Sequence, residues 1–365
     1  MPPATDEALL DATAENHRVW FRRIAAADGL DVVDVCGSEL FLGAEAMIFP
    51  GPDLDADKLM REIRAHDCRS AGCWSLSADS ALGTRLVARG FGWGWRPHWM
   101  AIDLDDAGRR LAAGSFPVEM AAPPYARTLP YAPHGPEPAG GFRLGVRLRG
   151  RVVGSVVVNP WDGVAGIYSM GVAPRARRRG IGAALTAAAC RLAIEHGCRH
   201  AVLNATDEGT PLYARAGFRS LGWGQTWWYF RAVAPTPRQI ALTEAIGFGD
   251  LTALARLRPT PAELTGSLPG AGTALMLALV TDQPAVAEYL MDRCPELAAR
   301  RFAPNGATLL HLAVEHDRPA FVAVALSHGV DPEARDDRFN ATALDWAEHF
   351  GREDIAAQLG DGSAT

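Results

Sequence analysis

The stretch with the most chemical content is "ARRRGIGAAL" at 176–185, where three arginines precede Gly-Ile-Gly and a run rich in alanine and leucine. The run predicts a helix, so the arginines and glycines fall at its N-terminus. The first turn of a helix exposes backbone N–H groups that lack partners, and it carries a partial positive charge. Gly180 and Gly182 let a ligand approach the backbone because they have no Cβ atom. The segment therefore predicts a phosphate-binding turn.

Three other interpretations of this turn fit the sequence less well. A P-loop requires Gly-Lys-Ser/Thr, which does not occur in the chain. A dinucleotide-binding fingerprint requires a third Gly or Ala where Leu185 stands. An arginine patch in solvent beside an ordinary helix start needs no ligand, and it is the non-functional alternative.

The elements around the turn are predicted to be strands before it and a helix after it. Three short β-branched segments, "FRLGVRL", "RVVGSVVV" and "AGIYSMGV", predict antiparallel strands. A helix from about 182 to 196 follows, then a strand "HAVLN", a short helix around 211–216 and a last strand "QTWWYFRA". The first hundred residues show a similar order, with strands "DVVDVCG" and "SELFLGAEAMIF", a helix "DADKLMREIRAH", then "CWSLS", a helix "SALGTRLVARGFG" and a strand "HWMAIDL". The segment "LVARGFGW" there echoes the later "LYARAGFRS". That first part has no counterpart of the arginine-glycine segment.

Two motifs in this order resemble those of the GNAT superfamily of N-acetyltransferases. "MGVAPRARRRGIGAAL" carries the family's Arg/Gln-x-x-Gly-x-Gly signature on Arg177, Gly180 and Gly182, and "PLYARAGF" resembles its Tyr-x-x-x-Gly-Phe segment. The resemblance implies acetyl-CoA as co-substrate, no metal, and direct transfer of acetyl to an amine. The first part of the chain resembles the degenerate half of tandem GNAT proteins.

The resemblance also implies roles for individual residues. Tyr213 would protonate the departing thiolate, although a tyrosine packed under the helix is the structural alternative. Asn204 or Thr206 would contact the pantetheine arm, and this choice stays open. The remaining residues implied to bind acetyl-CoA, by main chain or by the phosphate cradle, are Met170, Val172, Arg177, Arg178, Arg179, Gly180, Ile181, Gly182 and Ala183.

The acceptor side of the reaction is less defined by the sequence. Neutralising an amine of pKa about 10.4 at pH 7 costs roughly 4.6 kcal/mol, so a base, a desolvating pocket or an amine of low pKa is required. Many GNAT members place a glutamate on the strand before the signature, where this chain reads "AGIYSMGV". The candidate bases are Asp162, Asp207, Glu208 and His98. The aromatic stretch 90–100 either binds a cationic or ring-bearing acceptor or packs between the two halves. The candidate acceptor-binding residues are Trp93, Trp95, His98, Trp99, Tyr168 and Asp162.

The last third of the chain contains an internal repeat. Ile240, Thr273, Thr308 and Thr342 are spaced 33, 35 and 34 residues apart, and an alanine follows each after five residues. A small residue at one repeated helix position lets neighbouring helices pack closely. "GATLLHLA" followed by "HGVDPEARD" resembles an ankyrin repeat, which implies that His311 hydrogen-bonds loop backbone.

The predicted fold class is α+β, with mixed, mostly antiparallel GNAT-type sheets and flanking helices, followed by an all-α ankyrin-repeat solenoid. The predicted domains are a degenerate GNAT-like half at 1–110, a catalytic GNAT domain at 115–234 and about four ankyrin repeats at 238–365. Prolines at 231–239 suggest a linker. The Pro/Gly-rich stretch 121–141 is either a loop over a pocket or a connector.

Composition and charge exclude several classes of protein. The chain of 365 residues is 48% hydrophobic with a mean hydropathy of −0.02 and has neither a secretory signal nor a run of about 18 apolar residues. Its net charge is −6, and residues 236–365 contain 18 acidic and 10 basic residues. Neither this part nor residues 1–235 is basic enough to predict nucleic acid as the main partner. Six scattered cysteines without metal-type spacing are typical of reduced thiols in a cytoplasm.

The sequence thus predicts a cytoplasmic N-acetyltransferase that acts on a primary amine of a small molecule such as an antibiotic or metabolite. One alternative is a protein acetyltransferase whose acidic ankyrin array recruits a basic protein. The other is a non-catalytic binding module in which acetyl-CoA tunes ankyrin contacts.

Overall fold

The computed structural model describes residues 5–77, 79–104, 115–133, 137–230 and 234–362. Parts of the predicted stretches 121–141 and 231–239 lie outside these ranges. The chain divides into two compact units, Met1–Ala78 with Gly94–Thr226, and Asp79–Trp93 with Trp227–Thr365. Residues 79–93 therefore cluster with the C-terminal part, whereas the predicted domains assign them to the N-terminal half.

Residues 5–104 contain three helices and six strands among the described positions. Their order is α1 (Asp6–Asp28), β1 (Asp31–Val35), β2 (Ser38–Leu42), β3 (Glu45–Phe49), α2 (Ala56–Ala65), β4 (Ser70–Ser75), α3 (Ser80–Ala88), β5 (Gly92–Trp93) and β6 (His98–Asp103). Strands β1, β2 and β3 form an antiparallel meander, and β4 joins β3 in parallel after the α2 crossover. The predicted segment "SELFLGAEAMIF" is thus two strands joined by a turn.

Residues 115–230 form most of a seven-stranded sheet. Their elements are β7 (Glu119–Met120), β8 (Phe142–Leu148), β9 (Arg151–Trp161), β10 (Val164–Val172), α4 (Ile181–Glu195), β11 (His200–Ala205), α5 (Thr210–Arg215), β12 (Arg219–Trp223) and β13 (Gln225–Phe230). The strand order is β12-β6-β11-β10-β9-β8-β7. Strands β8, β9 and β10 are antiparallel neighbours, as the sequence predicts, and β11 runs parallel to β10.

Strand β6 is the unexpected member of this sheet. It lies between β11 and β12 and pairs antiparallel with both. The sequence predicts it as the last strand of a self-contained N-terminal half. Its residues Trp99 to Ile102 are buried, which suits a strand that is covered on both faces and paired on both edges.

The second unit consists mainly of paired helices. The elements after β13 are α6 (Pro237–Gly247), α7 (Leu251–Leu257), α8 (Pro261–Thr265), β14 (Ser267–Leu268), β15 (Gly272–Thr273), α9 (Ala274–Val280), α10 (Pro284–Arg293), α11 (Leu309–Glu315), α12 (Pro319–Ser327), α13 (Ala343–Phe350) and α14 (Glu353–Gly362). The repeated alanines at 245, 278, 313 and 347 are all buried. Thr273, Thr308 and Thr342 are the N-cap residues of α9, α11 and α13. In α6 the cap is Thr236, because this helix starts one turn before Ile240.

His311 has the structural role that the ankyrin resemblance implies. Its Nδ1 accepts a hydrogen bond from the Thr308 backbone N–H at 3.2 Å, and its Nε2 donates to the Ala341 carbonyl at 3.0 Å. Burial lowers the pKa of this histidine, so it stays neutral and can both donate and accept. The prediction is confirmed.

Helix α3 belongs to the second unit through close packing on α6. A Cβ on Gly247 would lie 2.6 Å from the Thr84 side chain, and Arg89 forms an ion pair with Glu244.

Among the described residues, no helix combines the length and apolar character needed to cross a membrane.

Candidate active site

The N-terminus of α4 is open in the way the sequence predicts. Its N-cap is Gly180, at φ 87°, so no side chain caps the helix. The first backbone bond joins the Ala184 N–H to the Gly180 carbonyl at 3.0 Å. Within the described part of the chain, no group accepts a hydrogen bond from the N–H groups of Ile181, Gly182 or Ala183. These amides can bind an anion, as at other helix N-termini.

Two glycines fix the position of this turn. On β9, a Cβ at Gly154 would lie 2.7 Å from Cγ2 of Ile181, so glycine lets α4 pack directly on the sheet. A Cβ at Gly182 would lie 3.0 Å from Cδ2 of Leu212. The absent side chain of Gly182 therefore permits packing of α4 on α5, a role that the sequence did not predict.

Strands β10 and β11 separate next to this turn. Their parallel pairing runs from Val164 to Ile167 and stops there, and a register shift on the β9 side follows between Tyr168 and Gly171. The Ala173 N–H donates to β9 at 2.7 Å, so the backbone of Val172 points to the opposite side, where β11 has separated. The Val172 carbonyl accepts a hydrogen bond from Nε of Arg177 at 3.1 Å, and Met170 shares the same open edge.

The two candidates for contact with a pantetheine arm, Asn204 and Thr206, have different surroundings. Asn204 is the first β11 residue beyond the paired stretch. Thr206 is engaged locally, because its hydroxyl accepts from the Gly209 N–H at 3.2 Å and its carbonyl accepts from Thr210. Thr206 thus orders the turn before α5, whereas Asn204 lies where β10 and β11 separate.

Tyr213 lies on α5 with its ring buried. The ring contacts Phe218 edge-on at 5.7 Å, and a Cβ on Gly209 would lie 3.2 Å from Cε2 of Tyr213. Burial raises the pKa of Tyr213, and the nearby phenol of Tyr131 raises it further. Tyr213 therefore keeps its proton at neutral pH and can act as a hydrogen-bond donor.

His98 connects β6 to the helix that carries Tyr213. Its Nε2 lies 2.8 Å from the Ser220 hydroxyl and its Nδ1 lies 3.2 Å from the Thr210 hydroxyl. Because the Thr210 hydroxyl donates to the Thr206 carbonyl, we assign the Nδ1–H tautomer, which donates to Thr210. Burial lowers the pKa of His98, and Asp207 partly opposes this effect. The ring also stacks on Trp223 at 4.2 Å.

An aromatic cluster surrounds Tyr168 on the side of β10 that faces α1. The Tyr168 ring stacks on His17 at 5.4 Å and on Trp20 at 5.6 Å, and its hydroxyl donates to Oδ1 of Asn16 at 2.8 Å. The buried ring of Trp99 lies 5.9 Å from His17. These contacts make Trp99 and Tyr168 part of the packing between α1, β6 and β10.

Asn16 and His17 belong to this cluster, and the sequence analysis did not single them out because it predicted no helix before residue 30. Burial, and the charge of Arg18 to a smaller degree, lower the pKa of His17 to about 3. The available signals were Thr5 with Asp6 and Glu7, which are typical of a helix N-terminus, and Gly29 at its C-terminus.

The remaining predicted residues are spread over the fold. Asp162 lies in the β9–β10 turn, at the end of β10 opposite the bulge, which is about 20 Å away along a strand of this length. Glu208 pairs with Arg177 at 3.1 Å. Trp95 contacts Trp74 edge-on at 5.3 Å.

The other three predicted residues are Trp93, Arg178 and Arg179. Trp93 belongs to the second unit, where its ring lies 5.9 Å from that of Trp227. Arg178 and Arg179 are exposed beside the α4 N-terminus, and the Arg179 guanidinium lies 5.9 Å from the Phe116 ring.

Comparison with known families and structures agrees with the two resemblances. Residues 108–218 match the acetyltransferase (GNAT) family, and residues 305–337 match the ankyrin repeat. No curated protein sequence matches this chain.

Three similar solved structures illustrate the range of relatives. A GCN5-related N-acetyltransferase from Kribbella flavida is 23% identical, with 59% of this chain and 96% of that chain covered and a TM-score of 0.43. One from Sphaerobacter thermophilus is 16% identical, with 53% and 76% covered and a TM-score of 0.40. A tandem GNAT protein from the clavulanic acid biosynthesis pathway is 14% identical, with 62% and 96% covered and a TM-score of 0.38.

Proposed function

For this chain, which contains a GNAT-family acetyltransferase domain and a C-terminal ankyrin repeat, we propose transfer of an acetyl group from acetyl-CoA to a primary amine of a small molecule. GNAT enzymes use acetyl-CoA in general. The observation that supports its binding here is the open N-terminus of α4 beside the edge where β10 leaves β11.

The residues at this place suit a CoA diphosphate and pantetheine arm. The backbone N–H groups of Ile181, Gly182 and Ala183 would hold the diphosphate, and the exposed side chains of Arg178 and Arg179 would add positive charge. The open edge at Met170 and Val172 offers backbone groups to the amides of pantetheine, as a neighbouring strand would. The side chain of Asn204, on β11 across the separation from β10, would contact the same pantetheine arm.

The chemistry would place Tyr213 at the leaving group. The acceptor nitrogen attacks the thioester carbonyl, the C–S bond breaks, and the thiolate takes a proton from Tyr213, while the acceptor nitrogen loses one to a base or to water. For an unshifted phenol and thiol this protonation is uphill by about 2 kcal/mol. Burial raises the pKa of Tyr213 and so increases this cost, unless the departing thiolate is buried in the same place and the pKa of its thiol is raised as well.

Among the predicted bases, Asp207 is the favoured one. His98 has both ring nitrogens in hydrogen bonds, so we assign it to positioning α5. Glu208 pairs with Arg177, and Asp162 lies at the far end of β10. The charge of Asp207 raises the pKa of His98 against the larger effect of burial, and Asp207 lies in the exposed turn before α5.

The test is acetylation of a panel of primary amines by the full chain, with the reaction monitored through the release of free CoA thiol. Tyr213→Phe should lower kcat about 10- to 100-fold, in the range of a lost general acid, and leave the affinity for CoA within about threefold. Unchanged kcat would remove Tyr213 from the mechanism. Absence of transfer to every amine, together with CoA binding, would instead support a non-catalytic module.

A protein acceptor recruited by the ankyrin repeat is the second candidate. The concentration of acidic residues in 236–365 favours it, because such a surface attracts basic proteins. Acetylation of a lysine-rich protein in preference to small amines, with loss of this preference at high salt, would support this candidate.

A further inference from the structure

The proline-rich segment 121–133, here called the strap, is bound to the seven-stranded sheet along its length. The Ala126 N–H donates to the Val152 carbonyl at 2.8 Å, and the Val152 N–H donates to the Pro124 carbonyl at 3.0 Å. Further along, Pro130 packs on Gly171 so closely that a Cβ there would lie 2.8 Å from the Pro130 carbonyl oxygen. The strap is therefore a fixed part of the sheet surface and ends beside the β10 bulge.

A buried arginine holds the end of the strap. The Arg143 guanidinium donates from Nη1 to the Tyr131 carbonyl at 3.1 Å and to the Ser155 hydroxyl at 3.4 Å, and it pairs with Glu137. A buried charge keeps its partners because separating them leaves that charge unpaired. Arg143 thus fixes the backbone at Tyr131.

The Pro130 end of the strap and α4 lie on opposite faces of the sheet. Gly154 faces Ile181 of α4, and alternate strand residues point to opposite faces, so Ser155 faces away from α4. Gly171 pairs with Ser155 and is covered by Pro130 on this same face. A molecule that approaches the separation of β10 and β11 from the face opposite the cradle therefore passes the strap.

Tyr131 presents its side chain at this end of the strap. Its backbone is in the left-handed region, at φ 56°, and its residue surface is 63% exposed. Tyr131 directly follows Pro130, so it lies beside the β10 bulge at Gly171. The effect of its phenol on the pKa of Tyr213 agrees with this placement.

We propose that Tyr131 is a specificity-determining residue whose ring forms the acceptor-side wall of the transfer site and favours amines that carry an aromatic ring. This inference rests on the proposed acetyl transfer. Arg143 holds the Tyr131 backbone and Pro130 packs on Gly171, so Tyr131 lies beside the β10 bulge, on the face opposite the proposed phosphate cradle. Ring–ring contact gives a preference of about three- to tenfold over a saturated ring of similar size.

The experiment compares 2-phenylethylamine with 2-cyclohexylethylamine, two amines of similar size and basicity, as acceptors for the full chain. Wild-type protein should favour the phenyl compound in kcat/KM by about three- to tenfold. Tyr131→Ala should bring this ratio to about one with an unchanged KM for acetyl-CoA. Tyr131→Phe should keep the ratio, and so should the control Tyr125→Phe, which removes a hydroxyl elsewhere in the strap.

The outcomes separate this inference from the proposed function. A ratio near one in the wild type, or a ratio that Tyr131→Ala leaves unchanged, overturns the role of Tyr131 while acetyl transfer stands. Loss of the ratio in Tyr131→Phe also overturns it, because the hydroxyl would then be responsible. Absence of transfer to any amine overturns both. Thermal unfolding of each variant distinguishes these results from misfolding.

Discussion

At the scale of single residues, burial sets the protonation state of the groups around the candidate site. His17 lies among the rings of Phe21, Phe49, Trp74 and Tyr168 and is held neutral. Tyr213 is shifted in the direction that preserves its proton. In each case the larger cause is desolvation, which disfavours the charged form of either group.

The neutral state of His17 makes stability depend on pH. Its folded pKa of about 3 is below the unfolded value of 6.5, so its contribution is fully present above pH 6.5 and is lost as the pH falls toward 3. Between pH 7 and pH 5 this loss is about 2 kcal/mol. In His17→Phe, the decrease in unfolding free energy over that interval should be smaller by about this amount, as measured by urea denaturation.

The matched control for this measurement is His349→Gln, which changes an exposed histidine on α13. It should keep the decrease seen in the wild type. An equal decrease in His17→Phe and in the wild type would show that His17 accepts a proton in the folded state near its ordinary pKa.

At the scale of elements, the N-terminus of α4 is held in place by packing, while its first backbone N–H groups stay available to bind a ligand. Glycine at the cap leaves the first amides without a side-chain acceptor, and Gly154 lets the helix rest on β9. Two other elements meet beside it, the separated edge of β10 and the turn that leads to Tyr213 on α5. The proposed cofactor site is thus built from backbone that the packing of three elements holds in place.

Ala183→Glu tests this element, because the side chain of Ala183 is exposed while its N–H belongs to the proposed cradle. A carboxylate in the first turn favours the helix by about 0.3–1 kcal/mol, so thermal stability should be equal or slightly higher. The same charge repels a diphosphate, so the affinity for CoA in calorimetry should fall at least about tenfold. Ala183→Gln, of the same size without charge, should stay within about threefold of the wild type. Equal affinities in both variants would place the diphosphate elsewhere.

At the scale of the whole molecule, chain order and spatial grouping differ. Strand β6 comes from the first hundred residues and completes the sheet that carries the GNAT motifs. Residues 79–93 group with the helical C-terminal part, where Phe91 is fully buried and Gly270 packs directly on its backbone. Cutting the chain between predicted domains therefore separates residues that pack together.

A fragment of residues 1–235 should accordingly be less stable than the full chain. It keeps α3 but removes α6, so apolar side chains such as Leu86 and Val87 lose the partners within their unit. Exposure of even two such side chains costs roughly 3 kcal/mol or more. Fragment 1–259 keeps α6 and α7 and should retain more of that stability. Equal midpoints of thermal unfolding for 1–235 and the full chain would contradict this expectation.

The sequence by itself determined the features that local chemistry controls. The glycines and arginines at 176–182 predict an open helix start, and the repeated alanines of 245–347 predict closely packed helices. Periodicity predicts β8, β9, β10 and α4 because each forms from residues adjacent in the chain. The role of His311 followed from the resemblance to an ankyrin repeat, and its contacts with Thr308 and Ala341 agree with it.

Only the tertiary structure decided which distant residues meet. The insertion of β6 between β11 and β12, the grouping of α3 with α6, and the packing of Pro130 on Gly171, which puts Tyr131 beside the β10 bulge, all depend on contacts between segments far apart in sequence. Two strands with the same alternation can pair in either of two sheets, and an exposed tyrosine in a proline-rich segment has no local pattern that marks its neighbours. Close packing of whole elements selects among these arrangements, and that selection is not encoded in any single stretch of the chain.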